Sequence, residues 1–469
     1  MVIIMLKKVA SILLLVFVLN IFIGIPVSAS ASISTPFTNI AAQAAILAER
    51  ETGEILFAHN IHAQHPPGSF NKVMTLLLAA YAVENDEIAD HELITMTETA
   101  WYEITEECST QGIEPGEVMT FIDLVYSSFL GNATEASNMI ALRIGGSIDG
   151  FARMMNERAS EIGANNTRFV NPHGQFNPLQ HTTAYDQFLI FNEAMRSSLF
   201  AEVSSTFRHV TEPNDEFETR TLTNSNSLLN QGSRYYFRPS ISGRDSNTYE
   251  GGRAQITYAE EDGLSLISVI LGSSDEIFDD GSVDIRSFSE TSRLLTWGFT
   301  NFAWRDVLST TDLLARIPIM YGSGADFVNA RPESTLTLLL NEAITFDAFT
   351  RDVTIFSDEY DDPLMAPVNA GDILGEVVIT RDGHEYARIP LVANTSVSLS
   401  GIEYMRRQIV DMLTTDTARN IMYILGGLIL LYLLLVLRYH LVRAGRRRRI
   451  RNAKNDLIRE RHQGYRDRD

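Results

Sequence analysis

Residues 66–75 read Pro66-Pro67-Gly68-Ser69-Phe70-Asn71-Lys72-Val73-Met74-Thr75, and this stretch says most about the fold. The Pro-Pro-Gly triplet ends an extended segment, and an apolar helix is predicted to begin at Ser69. Ser69 and Lys72 then lie at positions i and i+3 on one helix face. Backbone N–H groups at a helix start can stabilise an oxyanion, and a neutral amine can accept a serine proton. The alternative is that Ser69 only caps the helix, and S-x-x-K spacing alone does not decide between the two.

Lysine is rare in this chain and occurs only at Lys7, Lys8, Lys72 and Lys454. Lys72 is therefore the single lysine of the central part, where every other basic residue is arginine. Arginine stays protonated in proteins, whereas a lysine amine can be driven toward neutrality and then act as a base. A proton-accepting role would explain why this one lysine is present.

The hydrophobic pattern around this stretch predicts an α/β or α+β body. Apolar runs at Ala44–Leu47 and Leu264–Leu271 are typical of buried strands, one near each end of the body. Between them, longer periodic segments predict helices at Lys72–Glu84, Phe121–Ile144 and Phe151–Ile162. From residue 306 to 400 the apolar segments become short and turn-bounded, which predicts a small β domain.

Composition limits the classes of function. The chain has 469 residues, 59 acidic and 38 basic, with a formal net charge of -21. Most of the acidic excess lies in the middle of the chain, which would repel nucleic acid.

One cysteine, Cys108, excludes an internal disulfide and a cysteine-ligated metal cluster, and we interpret it as an inert thiol. His59, His62 and His65 have a spacing that could suit a metal, but the segment is typical of a solvated loop.

The two ends predict a membrane protein with its body outside the cell. Lys7 and Lys8 precede an apolar run, so residues 1–31 are predicted to be a signal peptide. A second apolar run, Ile421–Leu437, carries no charge and spans about 26 Å as a helix, close to the thickness of a bilayer core. The arginine-rich segment after it is typical of a cytoplasmic flank. The predicted parts of this end are an amphipathic stalk at 401–419, a transmembrane helix at 420–438 and a basic cytoplasmic tail at 439–469.

Several motifs, in this order and spacing, resemble those of the D-alanyl-D-alanine carboxypeptidases among the low-molecular-mass penicillin-binding proteins. The resemblance covers about residues 42–400. Its motifs are Ala44–Leu47, Glu51–Gly53, Pro66–Thr75, Phe169–Gly174, Thr182–Asp186 and Leu294–Phe299. It implies a serine β-lactamase/DD-peptidase-like domain at 32–305, with an antiparallel sheet flanked by helices. A small all-β domain at 306–400 would follow, and after it the C-terminal transmembrane helix that the apolar run predicts.

The resemblance also implies a reaction, acyl transfer on a peptidoglycan stem peptide. Ser69 would attack the carbonyl between two D-alanines, and Lys72 would accept its proton. No metal or other cofactor is required. β-Lactams would act as covalent ligands of the same serine.

Two motifs of the family are altered here. Asn132 stands where the family has a proton-relaying serine, and Thr134 stands where it has an asparagine. The strand motif of lysine, then threonine or serine, then glycine is matched to Ile241-Ser242-Gly243, so its cation is missing. Ser242 and Gly243 remain the expected substrate-binding residues. Arg244 is the nearest replacement for the cation, although three residues along a strand reverses the face.

These alterations leave two functions open. The first is a membrane-anchored serine D-Ala-D-Ala carboxypeptidase with weakened auxiliary motifs, and Ser69 and Lys72 favour it. The second is a catalytically silent relative that binds stem peptides or positions other cell-wall enzymes, and Asn132 and Ile241 favour it. A β-lactam hydrolase of similar fold fits less well, because the resemblance includes the appended β domain and the anchor. Without a cation beside Lys72, any activity is expected to be higher at alkaline pH.

Overall fold

The computed structural model describes residues 39–101, 104–213, 219–359 and 363–463. The predicted signal peptide at 1–31 lies outside these residues. The chain forms two compact units. The first extends through Trp304 and also includes Leu339–Ala343, and the second consists of Arg305–Leu338 and the chain from Ile344 onward.

The first unit is built on a five-stranded antiparallel sheet. The described strands of this unit, of which five form the main sheet and six form three short hairpin-like pairs, are β1 (Ala44–Glu49), β2 (Ile55–His59), β3 (Leu93–Thr95), β4 (Val118–Thr120), β5 (Arg208–Val210), β6 (Thr221–Thr223), β7 (Ser240–Thr248), β8 (Gly252–Glu261), β9 (Leu264–Ser273), β10 (Glu276–Ile277) and β11 (Val283–Asp284). The main sheet has the order β2-β1-β9-β8-β7, and Ala45 lies opposite Ile270 across β1 and β9. The prediction that the two apolar runs are buried strands is confirmed, and the structure pairs them as β1 and β9.

Among the described residues of the first unit, seven α-helices flank this sheet. They are α1 (Asn71–Glu84), α2 (Phe121–Phe129), α3 (Thr134–Gly145), α4 (Ile148–Ile162), α5 (Ala184–Ala194), α6 (Ser198–Ser205) and α7 (Arg286–Asn301). Helix α4 shows how the local sequence sets the ends. The Ser147 side chain accepts from the backbone N–H of Gly150, and Gly163 ends the helix with a φ of +92°.

Strand β1 separates two hydrophobic clusters because its side chains alternate between the faces of the sheet. Ala44 and Ile46 pack with α1 and its neighbours, whereas Ala45 and Leu47 pack against α7. Helix α7 approaches the sheet closely at Gly298, where a Cβ would lie 2.6 Å from a Leu266 methyl group. Full burial of each leucine side chain contributes about 1.5–3 kcal/mol.

The single helix predicted for Phe121–Ile144 is wrong, because the structure has two helices, α2 and α3, at this place. Asn132 between them has a φ of +56°, which an α-helix cannot contain. At Gly131 a Cβ would lie 2.8 Å from the carbonyl oxygen of Ser127. The Gly-Asn pair therefore supplies the tight turn that ends α2 and redirects the chain into the site.

The second unit contains a five-stranded antiparallel sheet. The remaining strands of the chain are β12 (Phe302–Leu308), β13 (Ala315–Pro318), β14 (Phe327–Pro332), β15 (Leu336–Asn341), β16 (Thr350–Ile355), β17 (Ile373–Arg381) and β18 (His384–Ala393), with a short helix α8 (Phe356–Glu359). The sheet order is β13-β14-β18-β17-β16. Asp382 and Gly383 join β17 to β18 with φ values of +51° and +79°, the hairpin turn expected from their sequence.

Two helices end the described chain, α9 (Gly401–Thr414) and α10 (Asp416–Gln463). The break between these helices is at Thr415. The predicted boundary between stalk and transmembrane helix, at 419/420, therefore lies inside α10. Within α10, the segment Asp416–Ala453 is long and apolar enough to cross a membrane, with a mean hydropathy of 2.4 in its most apolar window.

Candidate active site

Ser69 lies in a single 3-10 turn, Gly68–Phe70, that leads directly into α1. Its side chain makes no capping hydrogen bond, and the residue preceding α1 is Phe70. The interpretation of Ser69 as a simple N-cap is therefore wrong. Throughout the described ranges its hydroxyl has no hydrogen-bond partner, so it is available for chemistry.

Lys72 lies in the first turn of α1 and is buried, with 3% of its surface exposed. Its Nζ donates to the backbone carbonyl of His173 at 2.8 Å. Burial lowers the pKa of Lys72 well below its ordinary value, and the positive charge of Arg244 lowers it further. Cys108 and Glu135 act in the opposite sense. The result is an amine that can be neutral, as a proton acceptor must be.

The loop after Phe169 is held against α1 by side chains of the helix. Asn71 Nδ2 donates to the carbonyl of Asn171 at 2.8 Å, and Thr75 Oγ1 donates to that of Pro172 at 2.6 Å. Gly174 has a φ of +87°, and a Cβ there would lie 1.8 Å from the carbonyl oxygen of Gly68. This contact fixes the carbonyl that binds Lys72.

His173 belongs to this loop but is poorly suited to be a base. Burial and the nearby Lys72 lower the pKa of His173 to about 3. Its Nδ1 accepts the backbone N–H of Gln175 at 3.1 Å. The ring is therefore neutral at ordinary pH and serves to shape the loop.

Asn132 and Thr134 occupy the turn between α2 and α3. Asn132 Oδ1 accepts from Arg244 Nη2 at 2.5 Å. Thr134 is buried at the start of α3, and its backbone N–H donates to the carbonyl of Ser109 at 2.9 Å. The turn thus carries an amide, bound to an arginine, at the place where the resembled family has a hydroxyl.

Strand β7 presents a different residue to this turn from the one expected. Ile241 is 37% exposed, whereas Arg244 is 1% exposed and bonds the carbonyl of Phe129 as well as Asn132. The prediction that Ile241 leaves the site without a cation is wrong. Residues three apart on a strand point to opposite faces, and because Ile241 points outward, Arg244 points inward. Ser242 also faces inward, but its hydroxyl is buried and donates to Ser204 Oγ at 2.7 Å.

Gly243 alternates with these inward residues and allows a close strand contact. A Cβ at Gly243 would lie 2.4 Å from the carbonyl oxygen of Ile256 on β8. Ser242 and Gly243 are buried and contact groups inside the domain, and their substrate-binding role stays a prediction. Arg244 has both of its terminal nitrogens occupied by protein groups, which fits a positioning role better than direct substrate contact.

Two residues of the site were not predicted from the sequence. Ser246 Oγ accepts the backbone N–H of Ser69 at 2.9 Å. Glu135 Oε1 accepts the backbone N–H of Gln111 at 2.7 Å, and its Oε2 is buried without a partner in the described structure. Burial raises the pKa of Glu135. Neither residue could be placed from local patterns, because their partners are distant in sequence.

The described residues contain no group of three His, Cys, Asp or Glu side chains arranged to hold a metal ion. The three histidines with metal-like spacing have separate surroundings. His62 packs its ring on Tyr185 with centroids 5.2 Å apart, and the backbone of His65 pairs with Thr182.

Comparison with known proteins gives a consistent result. The sequence profile of the D-alanyl-D-alanine carboxypeptidases matches residues 29–275, more than half of the chain. The D-alanyl-D-alanine carboxypeptidase DacF of Bacillus subtilis is 23% identical over 372 residues, which are 79% of this chain and 90% of the relative.

Solved structures show the same fold. Penicillin binding protein 5 of Haemophilus influenzae aligns with a TM-score of 0.55 and 23% identity, over 77% of this chain and 98% of its own. Penicillin binding protein 6B of Escherichia coli aligns with a TM-score of 0.56 and 22% identity, over 79% of this chain and 98% of its own. The fold class predicted from the sequence is confirmed, and the chain belongs to the D-alanyl-D-alanine carboxypeptidase family.

Proposed function

We propose that this protein is a serine D-Ala-D-Ala carboxypeptidase that shortens peptidoglycan stem peptides and is acylated by β-lactams. One observation carries the proposal. Lys72 is buried with a lowered pKa, three residues from a serine hydroxyl that has no hydrogen-bond partner among the described residues. Such an amine is costly to bury unless its neutral form is used.

The proposed reaction has two steps. In the first, Ser69 Oγ forms an ester with the carbonyl carbon between the two D-alanines, and Lys72 Nζ takes the serine proton. The C–N bond breaks, and that proton goes to the nitrogen of the leaving D-alanine. In the second step water attacks the ester, Lys72 accepts a proton from it, and the proton returns to Ser69 as the shortened peptide leaves.

Arg244 supports this chemistry without contacting the substrate. Its charge favours the neutral form of Lys72, and its hydrogen bond holds the amide of Asn132 in place. The amide of Asn132 can donate hydrogen bonds to a peptide substrate, although it cannot relay a proton as a hydroxyl can. Ser69, Lys72, Asn132 and Arg244 form the proposed site, and Thr134 is buried two residues after Asn132.

We place the reaction on the outer side of the cell membrane. The proposed arrangement is a signal peptide at 1–31, a catalytic domain at 32–305, a β domain at 306–400 and a stalk at 401–419. The anchor at 420–438 lies within the apolar part of α10, and the basic tail at 439–469 stays in the cytoplasm.

A specific observation also favours the silent-relative function. The backbone N–H of Ser69 is already bonded to Ser246 Oγ, and an oxyanion would need that donor. Together with the missing hydroxyl at Asn132, this contact could leave a protein that binds stem peptides without cleaving them. The two functions share a binding site and differ only in turnover.

Release of free D-alanine decides between them. The full chain in detergent is incubated with a pentapeptide ending in D-Ala-D-Ala, beside Ser69→Ala and a matched control, Ser268→Ala, in buried strand β9. We expect release by the wild type and by Ser268→Ala, and none by Ser69→Ala. Binding of the peptide without release by any of the three would support the silent relative.

A further inference from the structure

The hydroxyl of Ser246 fills a position beside the nucleophile. Its Oγ accepts the Ser69 backbone N–H at 2.9 Å, and the side chain is buried, with 5% exposed. It also lies against the preceding residue, because a Cβ built on Gly68 would be 2.4 Å from Ser246 Oγ. The contact joins β7 to the turn that carries the nucleophile, across 177 positions of sequence.

The register of β7 explains why a hydroxyl is there. Side chains alternate along β7, and Arg244 points inward. Asp245 faces the other way and accepts a hydrogen bond from Ser225 Oγ. Ser246, two residues after Arg244, faces the same side as Arg244 and reaches the Ser69 turn.

We propose that Ser246 is a specificity-determining residue that occupies the oxyanion donor of the resting site and slows acylation of Ser69. The inference rests on the proposed function of Ser69 as the nucleophile. One N–H group makes one strong hydrogen bond, so a carbonyl oxygen entering the site must displace the Ser246 hydroxyl. Acyl donors that make enough other contacts with the site would displace the Ser246 hydroxyl most readily.

The size of the effect follows from the bond that is exchanged. A neutral intramolecular hydrogen bond contributes about 0.5–1.5 kcal/mol net, which corresponds to about 2- to 12-fold in a rate or equilibrium. Removing the hydroxyl should therefore speed acylation of Ser69 by about 3- to 10-fold. The gain should be largest for small acyl donors, which have few other contacts with which to displace Ser246.

Two variants of the full chain test this. Ser246→Ala removes the hydroxyl alone, and Ser246→Gly also removes the Cβ in case alanine disturbs the contact with Gly68. Ser268→Ala is the matched control, since it removes a buried serine hydroxyl from the same sheet. Acylation of Ser69 by benzylpenicillin is timed by mass spectrometry, and hydrogen–deuterium exchange is followed in a peptide covering Gly68–Phe70.

We expect faster acylation and faster exchange of the Ser69 amide in both Ser246 variants, and wild-type behaviour in Ser268→Ala. An unchanged rate and unchanged exchange in folded variants would overturn the inference while leaving Ser69 as the nucleophile. A loss of about 100-fold would also overturn it, because Ser246 would then be carrying a proton rather than blocking a donor. If exchange rises but no variant is ever acylated, the hydrogen bond is supported and the proposed function fails.

Discussion

Replacing Arg244 tests how the site keeps Lys72 neutral. Arg244→Gln removes the positive charge and keeps a polar side chain of intermediate length. Because that charge lowers the pKa of Lys72, its removal should raise this pKa, while burial still holds it below the ordinary lysine value. Less neutral amine is then present at any pH below the pKa.

The expected result is a displacement of the pH profile toward alkaline pH. Acylation should follow the neutral fraction of Lys72, so its rising limb moves up in pH by the same amount as the pKa. On that limb, raising the pKa of Lys72 by one lowers the rate tenfold, or about 1.4 kcal/mol. Relative to the wild type, the acylation rate of Arg244→Gln should fall less on the high-pH plateau than at neutral pH. Penicillin acylation measured from about pH 6 to about pH 10 gives both quantities.

The same change has a cost in stability that can be measured separately. Arg244 bonds the carbonyl of Phe129 and Asn132 Oδ1, and its guanidinium lies 5.2 Å from the Phe129 ring centroid. Hydrogen bonds from a charged donor stabilise the fold by about 1.5–3 kcal/mol each. The variant loses these bonds, but it also avoids the desolvation cost of burying a guanidinium, which offsets part of the loss. We expect Arg244→Gln to lower the free energy of unfolding by about 2–4 kcal/mol.

Arg143→Gln is the matched control, since it removes an arginine that is paired with Glu92 and is not among the charges that act on Lys72. Its rising limb should stay close to that of the wild type even if its stability falls. A folded Arg244→Gln protein whose rising limb does not move would refute the reasoning, because Lys72 would then not feel this arginine.

Three further outcomes are expected. Lys72→Arg should reduce penicillin acylation by about 100- to 10,000-fold, because a permanent cation cannot accept the serine proton; labelling with a fluorescent penicillin measures it, and near-normal labelling would remove Lys72 from the mechanism. Unfolding free energy should rise with pH between the folded-state pKa of Lys72 and about 10.4, where the unfolded state binds more protons, and Lys72→Met should flatten this rise in denaturant titrations. Ile241→Lys should leave the acylation pH profile unchanged, since residue 241 is on the exposed face of β7; a downward movement of the profile would mean that a cation there reaches Lys72.

Local patterns in the sequence predicted the framework of the first unit. Runs of small and aliphatic residues at Ala44–Leu47 and Leu264–Leu271 identify strands, because nearly every side chain is apolar. The apolar segment from Lys72 identifies α1 for the same reason. The break inside Phe121–Ile144 was missed, although Gly131-Asn132 is a local turn signal, because the hydrophobic periodicity continues on both sides of it.

The chemistry around Lys72 could not be read in full from the sequence. Whether Ile241 or Arg244 faces inward depends on the strand's register in the sheet, and one residue of slip exchanges the two faces. The contact between Ser246 and the Ser69 amide joins two distant segments and has no local signal. The sequence predicts which residues could react, whereas their pKa values and hydrogen bonds depend on the packing.

The central claim is that Ser69 forms a covalent acyl-enzyme with Lys72 as its base. Mass spectrometry of the full chain after incubation with benzylpenicillin tests it most directly. We predict a mass increase of one penicillin molecule per chain, located by peptide mapping to the segment that contains Ser69 and absent in Ser69→Ala. No mass increase at any pH, or an adduct that persists in Ser69→Ala, would contradict the account.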